Sequence, residues 1–246
     1  MFPFLLHDVR ILDYLPGASI WEIRATSQDF EKASLRRLLK PVVLEDVDFP
    51  LGQAHLDQIA QVKSFMARRG VVWQARLDLG PGTFFLSEPF ELCSCFLRGH
   101  ETHLCGEIKV RGTCHLWGCK VSSILPQTAP AHCRTLLKVG IRVLPKASLS
   151  LKNVSIEKIR GHGLFVSRDA FVFAEQTSIL QSLVCNVYLA RRAKLHLQRC
   201  TVEGNCWGIY FVDQSSLRMK FSKLSGNPAI HGRPQHITSD TSVLLV

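Results

Sequence analysis

A repeat constrains this chain more than any other feature. The segments Leu149–Ile156, Val172–Ile179, Leu195–Val202 and Leu217–Leu224 begin 23, 23 and 22 residues apart. A further copy, Cys114–Val121, begins 35 residues before Leu149, so about 12 residues are inserted between the two. Each copy alternates apolar and polar residues, breaks at a polar bend and alternates again, which is the period of a strand. A second motif keeps the same spacing: Gly163-Leu164-Phe165-Val166, Asn186-Val187-Tyr188-Leu189 and Gly208-Ile209-Tyr210-Phe211. Gly and Asn tolerate positive φ, so they are expected at the corner before that strand.

A fixed period of 22–23 residues holding about three short strands predicts a parallel β-helix, a solenoid whose coils bury their inner rows only by stacking. An up-and-down antiparallel barrel would show hairpin turns instead. Before the repeat, residues 55–69 carry a helical pattern, followed by Gly80-Pro81-Gly82-Thr83-Phe84-Phe85-Leu86. A capping helix followed by such a turn resembles the entrance of right-handed β-helix domains. The expected fold is therefore mainly β: a right-handed parallel β-helix over residues 50–232, a tail at 233–246 and a helical module at 1–45. Residues 123–146, with Pro126, Pro130 and Pro145, interrupt the register. They read as a functional loop or as a tolerated surface insertion.

The first 45 residues read as short helices. Pro16-Gly17 ends the first, Ser19 and Glu22 form a capping-box pattern, and Pro41 ends the last. Such a module buries too little surface to stand alone. The stretch Phe2-Pro3-Phe4-Leu5-Leu6, Ile11–Pro16 and Ile20–Phe30 resembles the F-box, with an early hydrophobic–Pro pair, a helix ending in Tyr14-Leu15, and Arg24 followed by Ser27 and Phe30. The resemblance implies docking onto a Skp-type adaptor of a cullin ubiquitin ligase through Pro3, Leu5, Leu6, Val9, Leu12, Leu15, Ile20 and Ile23. An ordinary helical cap on the solenoid is the alternative.

Charge separates the two parts. The chain has a formal net charge of +10, yet residues 1–50 hold 6 basic and 8 acidic side chains, whereas residues 101–200 hold 15 and 5. The scarcity of acids bears on catalysis, because β-helices that cleave polysaccharides need clustered carboxylates. Residues 147–232 contain only Glu157, Asp169, Glu175, Glu203 and Asp213 as acids. The repeat aligns Asp169 with Arg192 and Gln214, and Asp213 with Arg191 and Arg168, giving mixed-charge columns. Gly161-His162-Gly163 is similar to a tripeptide of polygalacturonases, but the accompanying acidic elements have no match. His162 aligns with Cys185 and Trp207 as a corner residue.

Cys93, Cys95, His100, His103 and Cys105 cluster in sequence, but Cys-x-Cys departs from zinc spacing. Cys93 and Cys95 are expected to share one inward strand face. No metal and no cofactor is expected, and no Cys/His nucleophile pair stands out. Nine cysteines without a compact framework suit a reducing cytoplasmic or nuclear compartment. Met1–Leu6 is too short for a signal peptide, and no stretch approaches a membrane span.

If Leu164/Val166, Val187/Leu189 and Ile209/Phe211 point inward, then Phe165, Tyr188 and Tyr210 stack outside. Arg168, Arg191, Arg192, Lys194 and Arg199 would flank that stripe. It reads as a protein-binding surface or as a packing face covered by another part of the chain. Single-stranded nucleic acid ranks behind protein, because the cations are scattered in sequence. The combination points to a non-enzymatic adaptor: helices hold the ligase and the solenoid holds a target through Phe165, Tyr188, Tyr210, Arg168 and Arg191. A polysaccharide-active lyase or glycosidase and a self-assembling structural solenoid are the competing readings.

Overall fold

The computed structural model describes residues 76–86, 89–123, 139–204, 207–225, 230–232, 236–239 and 244–245. The helical module at 1–45, with all eight residues of the F-box-like set, and the capping helix at 55–69 lie outside the described residues. The described chain climbs through 21 strands. They begin with β1 (Arg76–Leu79), β2 (Gly82–Phe85), β3 (Phe90–Cys93), β4 (Phe96–Cys105), β5 (Ile108–Arg111), β6 (Thr113–Ser122) and β7 (Val139–Val143). Next come β8 (Ser148–Lys152), β9 (Ser155–Glu157), β10 (His162–Val166), β11 (Phe171–Glu175), β12 (Ser178–Leu180), β13 (Cys185–Leu189) and β14 (Lys194–Gln198). The last are β15 (Thr201–Glu203), β16 (Trp207–Phe211), β17 (Ser216–Lys220), β18 (Lys223–Leu224), β19 (Ile230–Gly232), β20 (His236–Ser239) and β21 (Leu244–Leu245).

Every described pairing is parallel and joins one coil to the next, as in β8–β11–β14–β17 and β10–β13–β16–β19. The result is a parallel β-solenoid with three faces. The first face runs through β8, β11, β14, β17 and β20, and the second through β9, β12, β15, β18 and β21. The long strands β4 and β6 bend and serve both, which merges these faces into one 14-stranded sheet. The third face is a separate 7-stranded sheet, β3-β5-β7-β10-β13-β16-β19. No helix among the described residues is long and apolar enough to cross a membrane.

The register explains the repeat. Cys114, Leu149, Val172, Leu195 and Leu217 pair in succession on the first face, and all are buried. Val121, Ile156, Ile179, Val202 and Leu224 form the inner ladder of the second face, and Ile141, Leu164, Val187 and Ile209 that of the third. Burying one such side chain stabilises by roughly 1.5–3 kcal/mol, and only the neighbouring coils provide the burial. β7 pairs with both β5 and β10, so the excursion begun at residue 123 ends by Val139. It is narrower than the 123–146 interval suggests; its core, 124–138, lies outside the described residues. The ladder also continues past residue 232: β20 pairs with β17 and β21 with β18.

The corner before the third face differs from expectation, whereas the polar bend within each copy is found as expected. Gly163, Asn186 and Gly208 sit inside β10, β13 and β16 and are absent from the positive-φ residues. Close approach explains Gly163 instead, since a Cβ there would stand 2.6 Å from the Asn186 carbonyl oxygen and 2.7 Å from Ser182 Oγ. The true corners are built from residues with side chains. Between the third and first faces, Lys146, Asp169, Arg192 and Gln214 adopt φ of 63°, 60°, 59° and 63°. Each is the third residue of a turn closed by a backbone N–H···O bond, as in Ala147 N–H to Leu144 and Ala193 N–H to Ala190. That is a type II pattern, with Pro145 at its preferred place. Between the first and second faces Asn153, Gln176, Arg199 and Phe221 also adopt positive φ, of 50–53°. Left-handed backbone costs roughly 1–2 kcal/mol for such residues. The N–H groups of Lys146, Asp169, Arg192, Asn153, Gln176 and Arg199 still bond to the coil above, as Gln176 does to the Gln198 carbonyl at 3.0 Å, which offsets the strain.

Gly163→Ala is expected to lower stability by about 1–3 kcal/mol through overpacking, read as a drop in the urea midpoint. Leu164→Ala should cost about 2–5 kcal/mol through the cavity it leaves. Ser178→Ala, on the outer row of the second face, should stay within about 0.5 kcal/mol of the parent.

Candidate functional site

The third face carries the feature that most sets this solenoid apart. Parallel pairing puts Arg142, Phe165, Tyr188, Tyr210 and His231 in one outward row. The rings of Phe165 and Tyr188 stack with centroids 4.7 Å apart at 7°, and those of Tyr188 and Tyr210 at 5.2 Å and 5°. These spacings match the separation of about 4.8 Å between neighbouring strands, so the coil repeat itself sets the stack. Each such pair adds roughly 0.5–1.5 kcal/mol beyond burial. His231 continues the row at 5.0 Å from Tyr210, and the Arg142 guanidinium lies 5.0 Å from the Phe165 centroid at the other end.

A second row stands beside it. His162, Cys185 and Trp207 pair in register at the start of β10, β13 and β16, which is the alignment the repeat predicts. Trp207 stacks on His231 at 4.6 Å and on Tyr210 at 5.1 Å, while His162 tilts toward Phe165 and Tyr188. At the adjoining corner Leu183 and Val184 are 73% and 46% exposed. The third face is thus an aromatic strip with an apolar edge.

Ring orientation decides what this strip can hold. Within the stack each ring covers the face of the next, so solvent meets ring edges and the Tyr188 and Tyr210 hydroxyls. An aromatic quadrupole is negative on the face and positive at the edge. Nucleobases stack on ring faces, and the row does not offer a run of them. Burial, with Tyr210 next, pushes the Tyr188 phenol above its ordinary value, so its hydroxyl stays a donor at neutral pH.

The corner between the third and first faces supplies charge. Arg168 and Arg191 occupy the second position of their turns, and Lys146 and Arg192 the third. Arg192 holds Asp169 at 2.6 Å, and Arg168 lies 3.3 Å from the same carboxylate. The hydrogen bond from Arg192 keeps the Asp169 carboxyl below its usual range. On the first face Lys152, Lys194, Arg218 and Lys220 are exposed, and Glu175 answers only Lys152, at 3.3 Å. Arg199, expected beside the aromatic row, instead forms the far corner of the first face. Its position eight residues past Arg191, beyond all of β14, accounts for the difference.

Carboxylates elsewhere also face cations. Glu91 meets Arg111 at 2.5 Å, Glu107 meets Arg142 at 2.8 Å, Glu157 meets Lys120 at 2.5 Å and Glu203 meets Lys223 at 3.1 Å. Each of these pairs joins neighbouring coils, and the exposed ones contribute about 0–1 kcal/mol each, whereas Glu107 is buried.

A depression of about 340 Å³ lies where the first face bends into the second, lined by residues including Glu101, Thr102, His103, Cys119, Lys120 and Asn153. Beside it, His103 Nε2 is 2.8 Å from Ser122 Oγ and 3.4 Å from Cys105 Sγ. Burial lowers the His103 pKa and raises that of Cys105, so thiol and imidazole are both neutral. Cys105 is also fully buried. A neutral, inaccessible thiol is a packing element rather than a nucleophile. Cys93 and Cys95 do not share a face: β3 ends at Cys93, Ser94 turns at φ 46°, and Cys95 enters the core. Among the described residues no three of His, Cys, Asp and Glu converge on a metal position.

The fold and this surface define a parallel β-solenoid with an aromatic ladder on one face and a cationic corner beside it. No family model, no curated protein and no solved structure matches the chain.

Two predictions follow from the titratable groups. Burial, then Arg142, lowers the His162 pKa, and its Nδ1 is buried without a partner. The unfolded chain therefore takes up a proton near pH 6.5 that the folded chain refuses, so stability must fall as pH drops through that value. Thermal melts from about pH 7.5 to 5.5 should show the loss, and His162→Phe should reduce its slope. Cys119 is pushed up to about 12 by burial, whereas Cys93 is the described cysteine that is not buried. Mass spectrometry after mild alkylation should find Cys93 labelled well before Cys119.

Proposed function

We propose that this protein is a non-enzymatic adaptor whose solenoid, right-handed as parallel crossovers prefer, holds a target protein on its third face. Residues 1–45 dock a Skp-type adaptor of a cullin ubiquitin ligase in this reading. The observation that carries it is the continuous, half-exposed stack Phe165–Tyr188–Tyr210, bordered by Trp207, Leu183 and Val184. Tyr, Trp and Arg are the residues that dominate binding energy at protein interfaces, and here they form one patch on rigid strands. The carboxylates support the same reading from the other side. Glu91, Glu107, Glu157, Asp169, Glu175 and Glu203 face cations, whereas a glycosidase brings two carboxyl groups together across its substrate. The ligase half rests on the F-box-like sequence of residues 2–40, in which Leu12 and Leu15 belong to the contact set.

Two experiments test the two halves. The full chain mixed with a purified Skp-type adaptor should co-elute in size-exclusion chromatography, and Leu12→Asp should abolish co-elution; no complex with the parent chain refutes the ligase half. A photo-crosslinking phenylalanine analogue at Tyr188 should yield a discrete protein adduct in cells, while the same analogue at Ser178, on the second face, should not. Equal yields at both positions would remove the third face from the account.

A further inference from the structure

The aromatic ladder and the corner next to it select for a particular chemistry. Two properties coincide there. The exposed parts of Phe165, Tyr188 and Tyr210 are ring edges, which carry the positive side of the quadrupole, and hydroxyl donors. Beside them the third-to-first corner and the upper first face set eight cations against the three carboxylates Asp169, Glu175 and Asp213. Among the described residues Lys146, Arg191, Lys194 and Arg218 have no ion-pair partner. The second face is different: its half-buried cations Lys120 and Lys223 are both held by carboxylates. Lys158 and Arg160, at the second-to-third corner, also lack an ion pair, but the larger cluster is the one at the third-to-first corner, and it borders the face that carries the aromatic strip.

We infer that the segment of the target held here is an acidic polypeptide, with carboxylates at the Arg168–Arg191–Lys194 corner and apolar or aromatic anchors along Tyr188, Tyr210 and Trp207. This inference rests on the adaptor reading and names the chemistry of its target. A single-stranded nucleic acid would answer the same charge, but its bases need open ring faces, and the stack covers them. A carboxylate needs what the strip offers: edge C–H groups, phenol donors and guanidinium groups within one side chain's reach. Complementary charge of this kind sets register and speeds encounter, and it weakens with salt.

Fluorescence anisotropy with three labelled probes tests the inference on the full chain: poly-glutamate, a random Glu/Tyr copolymer and an oligouridylate. The copolymer should bind tightest, and both acidic polymers should weaken as salt rises. Arg168→Glu combined with Arg191→Glu should weaken both acidic polymers about tenfold or more, because a charged pair becomes a repulsive one. Arg199→Glu combined with Lys223→Glu changes net charge equally on the side away from the third face and should leave binding within about twofold, which separates a site from overall charge. Melting temperatures of both variants serve as the folding control, and Arg191→Gln with Lys194→Gln replaces the reversal if it unfolds. Equal binding by parent and corner variant, no binding of either acidic polymer, or tighter binding of oligouridylate overturns the inference. Loss in Tyr188→Ala/Tyr210→Ala with no loss in the corner variant also overturns it, yet leaves the aromatic face as the target site. The adaptor reading falls separately, on the crosslinking result.

Discussion

In-register parallel pairing of successive coils governs everything else in this molecule. Because Leu149, Val172, Leu195 and Leu217 occupy one register, each inner side chain packs on its equivalents one strand spacing away. The same rule applies outside, where solvent, not a core, surrounds the row. Apolar rows can be long, because like packs with like. Charged rows cannot, since equal charges directly opposite repel. This is why Asp169 stands against Arg192 and Glu175 against Lys152, while Glu157 reaches Lys120 diagonally. Aromatic rows are the outward exception: Phe165, Tyr188 and Tyr210 stack favourably at the spacing the backbone imposes.

The surface chemistry then follows from where this pairing is complete. On the second face cations and carboxylates alternate between coils and cancel. At the third-to-first corner the turns place Arg168 and Arg191 one above the other, and Asp213 only in the coil beyond. Asp169 is shared by Arg168 and Arg192, and Arg191 is left without an ion pair. A corner that stacks like charges is locally unfavourable, and the backbone ladder holds it in place regardless. A bound carboxylate would relieve that repulsion, which ties the cost borne by the free solenoid to the partner proposed for it.

Much of this was legible in the chain, and the reasons for the rest are specific. Phe165, Tyr188 and Tyr210 could be placed because strand alternation and the 23- and 22-residue offsets fix both direction and stacking. Arg142 could not, since the 35-residue gap before Leu149 hides the coil that contains β7. His231 escaped because it lies in β19, a strand of three residues. The corner before the third face was misread through glycine, since Lys158 and Gln181 turn the chain there at φ 53°. The polar bend within each copy, Asn153–Gln176–Arg199, was legible at its constant offset, whereas the Pro145-Lys146 turn was not. Left-handed backbone at such residues is costly in isolation, and a local propensity argument therefore does not propose it. Cys93 and Cys95 were assigned to one face because a strand was assumed to continue through Ser94, where the chain in fact turns. Residues 1–45 rest on sequence alone.

Ring orientation is the property no alignment could supply, and it carries the most functional weight. A column of Phe and Tyr flanked by Arg is compatible with stacked bases, with a protein anchor or with a buried packing seam. Stacking at 5° and 7° removes the first of these along the row, because the faces are spent on one another. The Leu183 and Val184 side chains, 73% and 46% exposed beside Trp207, weigh against a sealed seam at that edge. What is left is a rigid strip of edges and hydroxyls with cations on one side. Such a strip favours a partner that brings its own oxygens, and the same stacking that stabilises the free solenoid fixes the positions at which those oxygens must arrive.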